Sequence, residues 1–277
     1  MTQTSFYTPI PNRKAPTFEG TTLVIPAVSI GSVAQLAVDL LLHDASLNLV
    51  KVGRLDPSFC FPFVGPSDSV DADVDVTTAL EVFTNGSLTL IQQRSPVYKT
   101  LDRAYISGLT QWILESRFNQ VLWLSSIDAA ARTDDEFSTP ILSLFPSSAS
   151  AAAAAASTTT PALAALSQSF PPFNPPQQHN GKATETPHIP GSLLTRKLFH
   201  HVSTSPLKDR TAAILYFAAE GDTRPDAHSL ANLVLALLSS PQPEAKLQDW
   251  SYHPSALTEP QSWSALFGRP PSSALYA

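Results

Sequence analysis

Two stretches of the chain, separated by most of its length, repeat one pattern that few folds accommodate. Residues 21–28 read TTLVIPAV, a short β-branched run of the kind found in buried strands. Gly31 and Ser32 follow, and then Val33, Leu36, Ala37, Leu40 and Leu41 recur at helical spacing on one face. Far downstream, residues 211–218 form a second apolar run. Glu220, Gly221, Asp222 and Thr223 make a turn after it, and Pro225 suits a first helical turn. Leu230, Leu233, Val234, Leu237 and Leu238 then repeat the first stripe. Strand, Gly turn, amphipathic helix and a further strand at 48–55 make a βαβ unit, which requires a parallel sheet. Like elements at both ends favour one α/β domain over two.

The intervening chain supplies further elements. Residues 56–78 are rich in Pro, Ser and Asp and read as an irregular loop. Residues 79–84 and 88–94 are strand-like runs around Asn85-Gly86, a favoured type I′ turn pair, so a β-hairpin is expected. A helix is expected over 101–118, with Gly108 weakening its middle, then a buried strand over 120–126 and a short helix over 193–202. Residues 1–20 read as a flexible N-terminal segment. The stretch 147–187 holds an Ala run (151–156), Ser/Thr clusters and paired prolines, with Lys182 and Glu185 its only charged residues. It reads as a disordered insert in the domain 21–277, dispensable for the fold. Residues 241–277 are Pro-rich, with a short helix around 262–267 and a tail at 268–277.

Composition narrows the function. Hydrophobic residues make up 43% of the 277 and charged residues 14%, with a net charge of -6. A nucleic-acid binder needs clustered Lys and Arg to neutralise phosphates, and no cluster is present. A single cysteine, Cys60, rules out an internal disulfide and a cysteine-based zinc site. The first residues lack the pattern of a signal or transit peptide, and no apolar run reaches the roughly 20 residues of a membrane span. The expected setting is the cytosol, with the nucleus open to it.

No Walker A sequence, GxGxxG after a strand, GxSxG elbow or HExxH is present. A catalytic site would have to be assembled from distant residues. His200 and His201 are adjacent, so on a helix they point about 100° apart and rarely ligate one ion. Asp68, Asp71, Asp73 and Asp75 lack the Gly and Glu of a calcium loop, since Val76 and Val82 stand there. Glu220-Gly221-Asp222 lies where α/β proteins bind ligands, but helix capping by Asp222 or Thr223 accounts for the same residue types. The Ile30-Gly31-Ser32 turn is ambiguous in the same way. Cys60, among aromatics and prolines, reads as a structural thiol. No catalytic residue, cofactor or metal ligand is expected. The ending Leu275, Tyr276 and Ala277 offers an aliphatic side chain, a ring with a hydroxyl, and a carboxylate that a lysine-bearing pocket could hold.

Six blocks, in order, resemble the proteasome assembly chaperone 2 (PAC2) family: LVIPAVSIGSVAQLAVDLLL (23–42), KVGRLDP (51–57), FVGPSD (63–68), LEVFTNGSLTLIQQRSPVYK (80–99), FAAEGDTRPDAHSLANLVLALL (217–238) and SWSALFGRPPSSALYA (262–277). The resemblance implies a three-layer α/β/α fold, mostly parallel in its central sheet and akin to nucleoside phosphorylases. It implies a non-enzymatic heterodimer with proteasome assembly chaperone 1 that promotes assembly of the 20S α-ring. It implies that Leu275, Tyr276 and Ala277 match a hydrophobic-Tyr-X tail that enters pockets between α-subunits. The long Ala/Ser/Pro insert departs from the compact family pattern. A phosphorylase-like or hydrolase-like enzyme on the same fold is the competing reading. An enzyme should show a pocket with convergent polar groups at the strand ends, and a chaperone an exposed apolar face.

Overall fold

A computed structural model describes residues 5–11, 15–67, 76–146, 160–173, 188–239 and 257–267. Its centre is an eight-stranded mixed sheet in the order β1-β3-β6-β7-β2-β8-β10-β9. These strands are β1 (Tyr7–Pro9), β2 (Thr22–Pro26), β3 (Val50–Leu55), β6 (Leu80–Thr84), β7 (Leu88–Gln93), β8 (Gln120–Asp128), β9 (Ile141–Leu144) and β10 (Thr211–Ala218). Strands β7, β2, β8 and β10 run parallel, and antiparallel pairs extend the sheet on both sides. The separate ribbon β4 (Val64–Pro66) and β5 (Val76–Thr78) is antiparallel.

The parallel strands are buried on both faces because helices cover both. Successive side chains alternate between the layers. Trp123, Leu215 and Phe217 join the core under α2 (Asp102–Ser116) and α4 (Thr195–Val202). Leu122, Leu124 and Ile214 join the core under α1 (Val33–His43), α3 (Pro161–Ser169) and α5 (Arg224–Ser239). The two leucine stripes seen in the sequence are the buried faces of α1 and α5, which pack on each other. Each such aliphatic side chain contributes about 1.5–3 kcal/mol by leaving water. The result is the expected three-layer α/β/α arrangement.

Helix α1 is also tied to the sheet by charge. Asp39 lies buried on its sheet-facing side, where Arg94 Nη1 donates to Oδ2 at 2.6 Å and Gln92 donates to Oδ1. Burial pushes the Asp39 carboxyl above its ordinary range, against the pull of Arg94 and Gln92.

Three expectations are corrected. Residues 1–20 are not wholly a flexible lead-in. Strand β1 pairs with β3, Phe18 enters the core, and the Phe6 ring packs on Tyr105 with centroids 6.0 Å apart. Gly108, read as a weakness in α2, is what admits that ring, since a side chain there would lie 2.6 Å from Phe6. The insert 147–187 is likewise not structureless throughout. Within it, α3 buries Ala162, Leu163, Ala165 and Leu166, and Phe170 follows them into the core. The chain then runs beside β9, where Ser143 N donates to Pro171 O at 2.9 Å and Phe173 N donates to Ser143 O at 2.8 Å. That covers the sheet edge. The β6–β7 hairpin forms as expected, but through the three residues 85–87 rather than a two-residue type I′ turn. Gly86 alone among them has a positive φ, 90°.

Candidate functional site

Open α/β sheets usually bind ligands in the crevice beyond the carboxyl ends of the parallel strands. Here connecting segments fill that place by bonding to one another. Thr223 Oγ1 donates to Gly31 O at 2.6 Å, joining the turn after β10 to the turn after β2. Gly31 has φ 68°, and a side chain there would lie 2.9 Å from Thr223 Cγ2, so only glycine fits. Ile30 N donates to Gly191 O at 3.1 Å, Asp128 N donates to Pro190 O at 3.1 Å, and Ser126 N donates to Ser29 Oγ at 3.0 Å. Asp222 caps α5, its Oδ1 accepting from Arg224 N at 3.2 Å. The Arg224 guanidinium beside it holds the Asp222 carboxyl below its ordinary range. Both ambiguous Gly turns thus have structural work.

Next to these bonds, at the carboxyl ends of β2 and β7, lies a groove of about 560 Å³, walled by Ala27, Phe61, Val97, Tyr98, Trp123 and Leu194. Its charged lining groups are Lys99, Asp102 and Lys197, and the last two pair with each other. The walls are sewn together by backbone. Phe61 N donates to Pro96 O at 3.1 Å, Tyr98 N donates to Phe59 O at 2.9 Å, and Ser95 Oγ donates to Phe61 O at 2.6 Å. Cys60 sits buried beneath this seam, and burial, with Asp56 adding to it, pushes its thiol up to about 12. It is the structural thiol expected.

The rim of the groove is apolar and open to water. Phe61 is 48% exposed and Leu193 64%, and on the nearby ribbon Val64 is 73% exposed. Leu193 holds φ 45°, a left-handed conformation that costs a branched residue roughly 1–2 kcal/mol. It lies in the turn that leads into α4, where Ser192 N donates to Ile189 O at 3.3 Å and Thr195 N donates to Ser192 O at 3.1 Å. The ribbon is fixed by a buried carboxylate. Glu81 accepts from Lys51, from Thr77 Oγ1 at 2.8 Å, from Thr78 N at 2.9 Å and from Thr78 Oγ1 at 3.1 Å.

The last described segment packs on α5. In α6 (Trp263–Phe267), Trp263 is buried against the core together with Leu257. Glu259 reaches His228 Nε2 at 3.3 Å and Arg224 Nη1 at 3.7 Å, and Arg224 lies over the Phe267 ring at 5.1 Å. Leu275, Tyr276 and Ala277 lie outside the described residues, as do Asp68, Asp71, Asp73 and Asp75. His200 and His201 are exposed at the end of α4. Among the described residues, no three His, Cys, Asp or Glu side chains converge as a metal site would require. No helix among them is long and apolar enough to cross a membrane.

The groove, its exposed leucine and the Glu81 anchor were not foreseen. The signals present were the aromatic run FCFPF at 59–63 and the β-branched residues 76–78, hidden by the surrounding Pro, Ser and Asp.

Comparison with known proteins bears on these features. The model of the PAC2 family matches residues 23–245. A Danio rerio protein named proteasome assembly chaperone 2 is 30% identical over 91% of this chain and 94% of its own length. The Xenopus laevis protein of that name is 31% identical over 89% and 91%. The Homo sapiens one is 27% identical over 92% and 94%. Among solved structures, Pyrococcus furiosus PbaA, described as an archaeal homolog of proteasome-assembly chaperone, superposes with a TM-score of 0.57. It is 13% identical, over 84% of this chain and 85% of that one. Pyrococcus furiosus PbaB, described as an archaeal proteasome activator, gives 0.52 at 11% identity, over 85% and 88%. These likenesses carry the fold.

Proposed function

Since the chain belongs to the PAC2 family, we propose that it is a proteasome assembly chaperone that works by binding and catalyses nothing. The observation that carries this reading is the site itself. Structural bonds join the turns after β2 and β10, and an apolar groove with an exposed rim lies beside them. A surface of that composition favours association with a protein partner. In the proposal the partner is proteasome assembly chaperone 1, forming a heterodimer that promotes 20S α-ring assembly in cytoplasm and nucleus. Leu275, Tyr276 and Ala277 bind pockets between α-subunits. One short tail binds weakly alone and gains strength when a second contact makes its docking intramolecular. The names of the relatives and the family match support an assembly role, and the tail's residue types support the docking assignment.

The test is affinity capture from cells, with mass spectrometry resolving precursor from mature particles. Removing 275–277, or making Tyr276→Ala, is expected to lower recovery of 20S precursors while leaving the heterodimer intact. Unchanged precursor recovery would remove the tail from the proposal. Recovery of mature particles alone would replace assembly with regulation of the finished enzyme.

A further inference from the structure

The polar atoms in the floor of the groove already have partners. Trp123 Nε1 donates to Thr195 Oγ1 at 3.1 Å, and Thr195 Oγ1 shares a second hydrogen bond with Ser125 Oγ at 2.9 Å. Gln93 Nε2 donates to Ser95 O at 3.1 Å, and Asp102 is paired with Lys197. A polar group entering the floor would give up water and gain little, whereas an apolar side chain gives up nothing. The apolar surface also continues past the slot. The Phe61 ring lies 4.2 Å from that of Tyr98, and Phe61 and Leu193 remain exposed at the rim. A small molecule held in the slot leaves that rim wet, and a protein segment covers it.

Charge at the mouth has one sign in excess. Lys99 and Lys197 line it against the single carboxylate Asp102. Lys197 is committed to Asp102, while Lys99 is exposed and has no carboxylate partner among the described residues. Arg103 and Arg196, the chain neighbours of Asp102 and Lys197, are exposed as well. The chain as a whole is the reverse, with 23 Asp and Glu against 17 Lys and Arg. A cationic mouth on an acidic protein selects for negative charge in what docks there.

We propose that the groove takes a protein segment in which large apolar side chains lie beside carboxylates, the apolar groups filling the slot over Trp123 and a carboxylate meeting Lys99 at its mouth. The proposal rests on the reading of the groove as an association surface and adds the chemistry of what it accepts. The slot supplies affinity by burying apolar area, and Lys99 supplies the choice between acidic and basic segments.

The experiment measures fluorescence anisotropy of labelled, capped peptides with the full chain. The probes are Gly-Asp-Leu-Phe-Glu-Gly, the same peptide with Lys replacing Asp and Glu, and the same peptide with Ser replacing Leu and Phe. The first is expected to bind at least about fivefold more tightly than either of the others. Lys99→Gln is expected to weaken it by up to about fivefold, the share of an exposed ion pair. Lys99→Glu should turn the preference toward the lysine peptide. Lys99 is exposed, so both variants should melt with the native chain. Arg54→Gln removes the same charge from an exposed site on β3 outside the groove and should change nothing. Equal binding of the three peptides, or binding of none, would overturn the proposal. Equal weakening by Lys99→Gln and Arg54→Gln would overturn it too, since net charge alone would then account for the effect. The assembly role is judged separately by precursor recovery. Recovered precursors without the peptide preference would leave that role standing and remove this one, and the converse result would do the opposite.

Discussion

Cys60 shows how one residue reports on the seam below the groove. Its thiol is buried between the 57–61 turn and the 95–98 segment and is pushed up to about 12. The thiolate is the species that reacts, so at pH 8 the folded chain should alkylate roughly a thousandfold more slowly than a free cysteine of ordinary pKa. Burial slows it further. Iodoacetamide labelling followed by mass spectrometry, with and without denaturant, measures this, and fast labelling of the folded chain would show that the seam opens. The stability consequence has a definite sign. Between the ordinary thiol value and about 12, the folded chain keeps a proton that the unfolded chain has lost. Stability from this group is therefore complete below that window and falls as pH rises through it. Denaturation midpoints measured between pH 8 and 10.5 for the native chain and Cys60→Ala should converge as pH rises.

At the scale of elements, α3 is the informative case. Leu163 is wholly buried against the α5 side of the core, so Leu163→Ala should cost about 2–5 kcal/mol in urea or guanidinium unfolding. Removing 160–173 should do more, because it also strips the cover from β9. A deletion that leaves the midpoint unmoved would return the whole stretch to a linker. What could be read beforehand followed from periodicity. Helices α1 and α5 show full stripes, and β8 and β10 contain the unbroken apolar runs 121–124 and 212–218, so local pattern and tertiary burial agree there. Helix α3 has Pro161 at its start and an apolar set of only Ala162, Leu163, Ala164, Ala165 and Leu166, set within low-complexity sequence. It is too short to declare itself. Strand β1 is three residues long, and its pairing with β3 shows only in the assembled sheet. The ribbon depends on Glu81, a carboxylate whose burial no local pattern announces. The tail residues were noticed by type, while the groove is built from five separate segments that only the fold brings together.

For the whole molecule, the apolar rim separates binding from stability. Leu193 is largely exposed and Phe61 half exposed, its ring 4.2 Å from that of Tyr98, so a Phe61→Ser, Leu193→Ser chain should unfold within about 2 kcal/mol of the native one. It should nevertheless recover far less partner subunit in co-purification, by tenfold or more if these side chains are anchors of the interface. Full partner recovery by the double variant would move the contact elsewhere. Replacing Leu193 with Gly should relieve the strain at φ 45° and raise the melting temperature slightly while still weakening recovery. The two readouts then move in opposite directions.

The order of strands in the sheet also carries a consequence for how the chain is made. Strand β10 lies between β8 and β9, yet it is synthesised last of the three. At roughly 5–20 residues per second on the ribosome, β8 waits on the order of 5–20 s for that neighbour. During the wait one long, apolar strand has half its backbone hydrogen bonds unmet, an invitation to mispairing. Completion of the sheet is therefore a late event in synthesis, so a newborn copy of this protein is itself a candidate for protection by general chaperones.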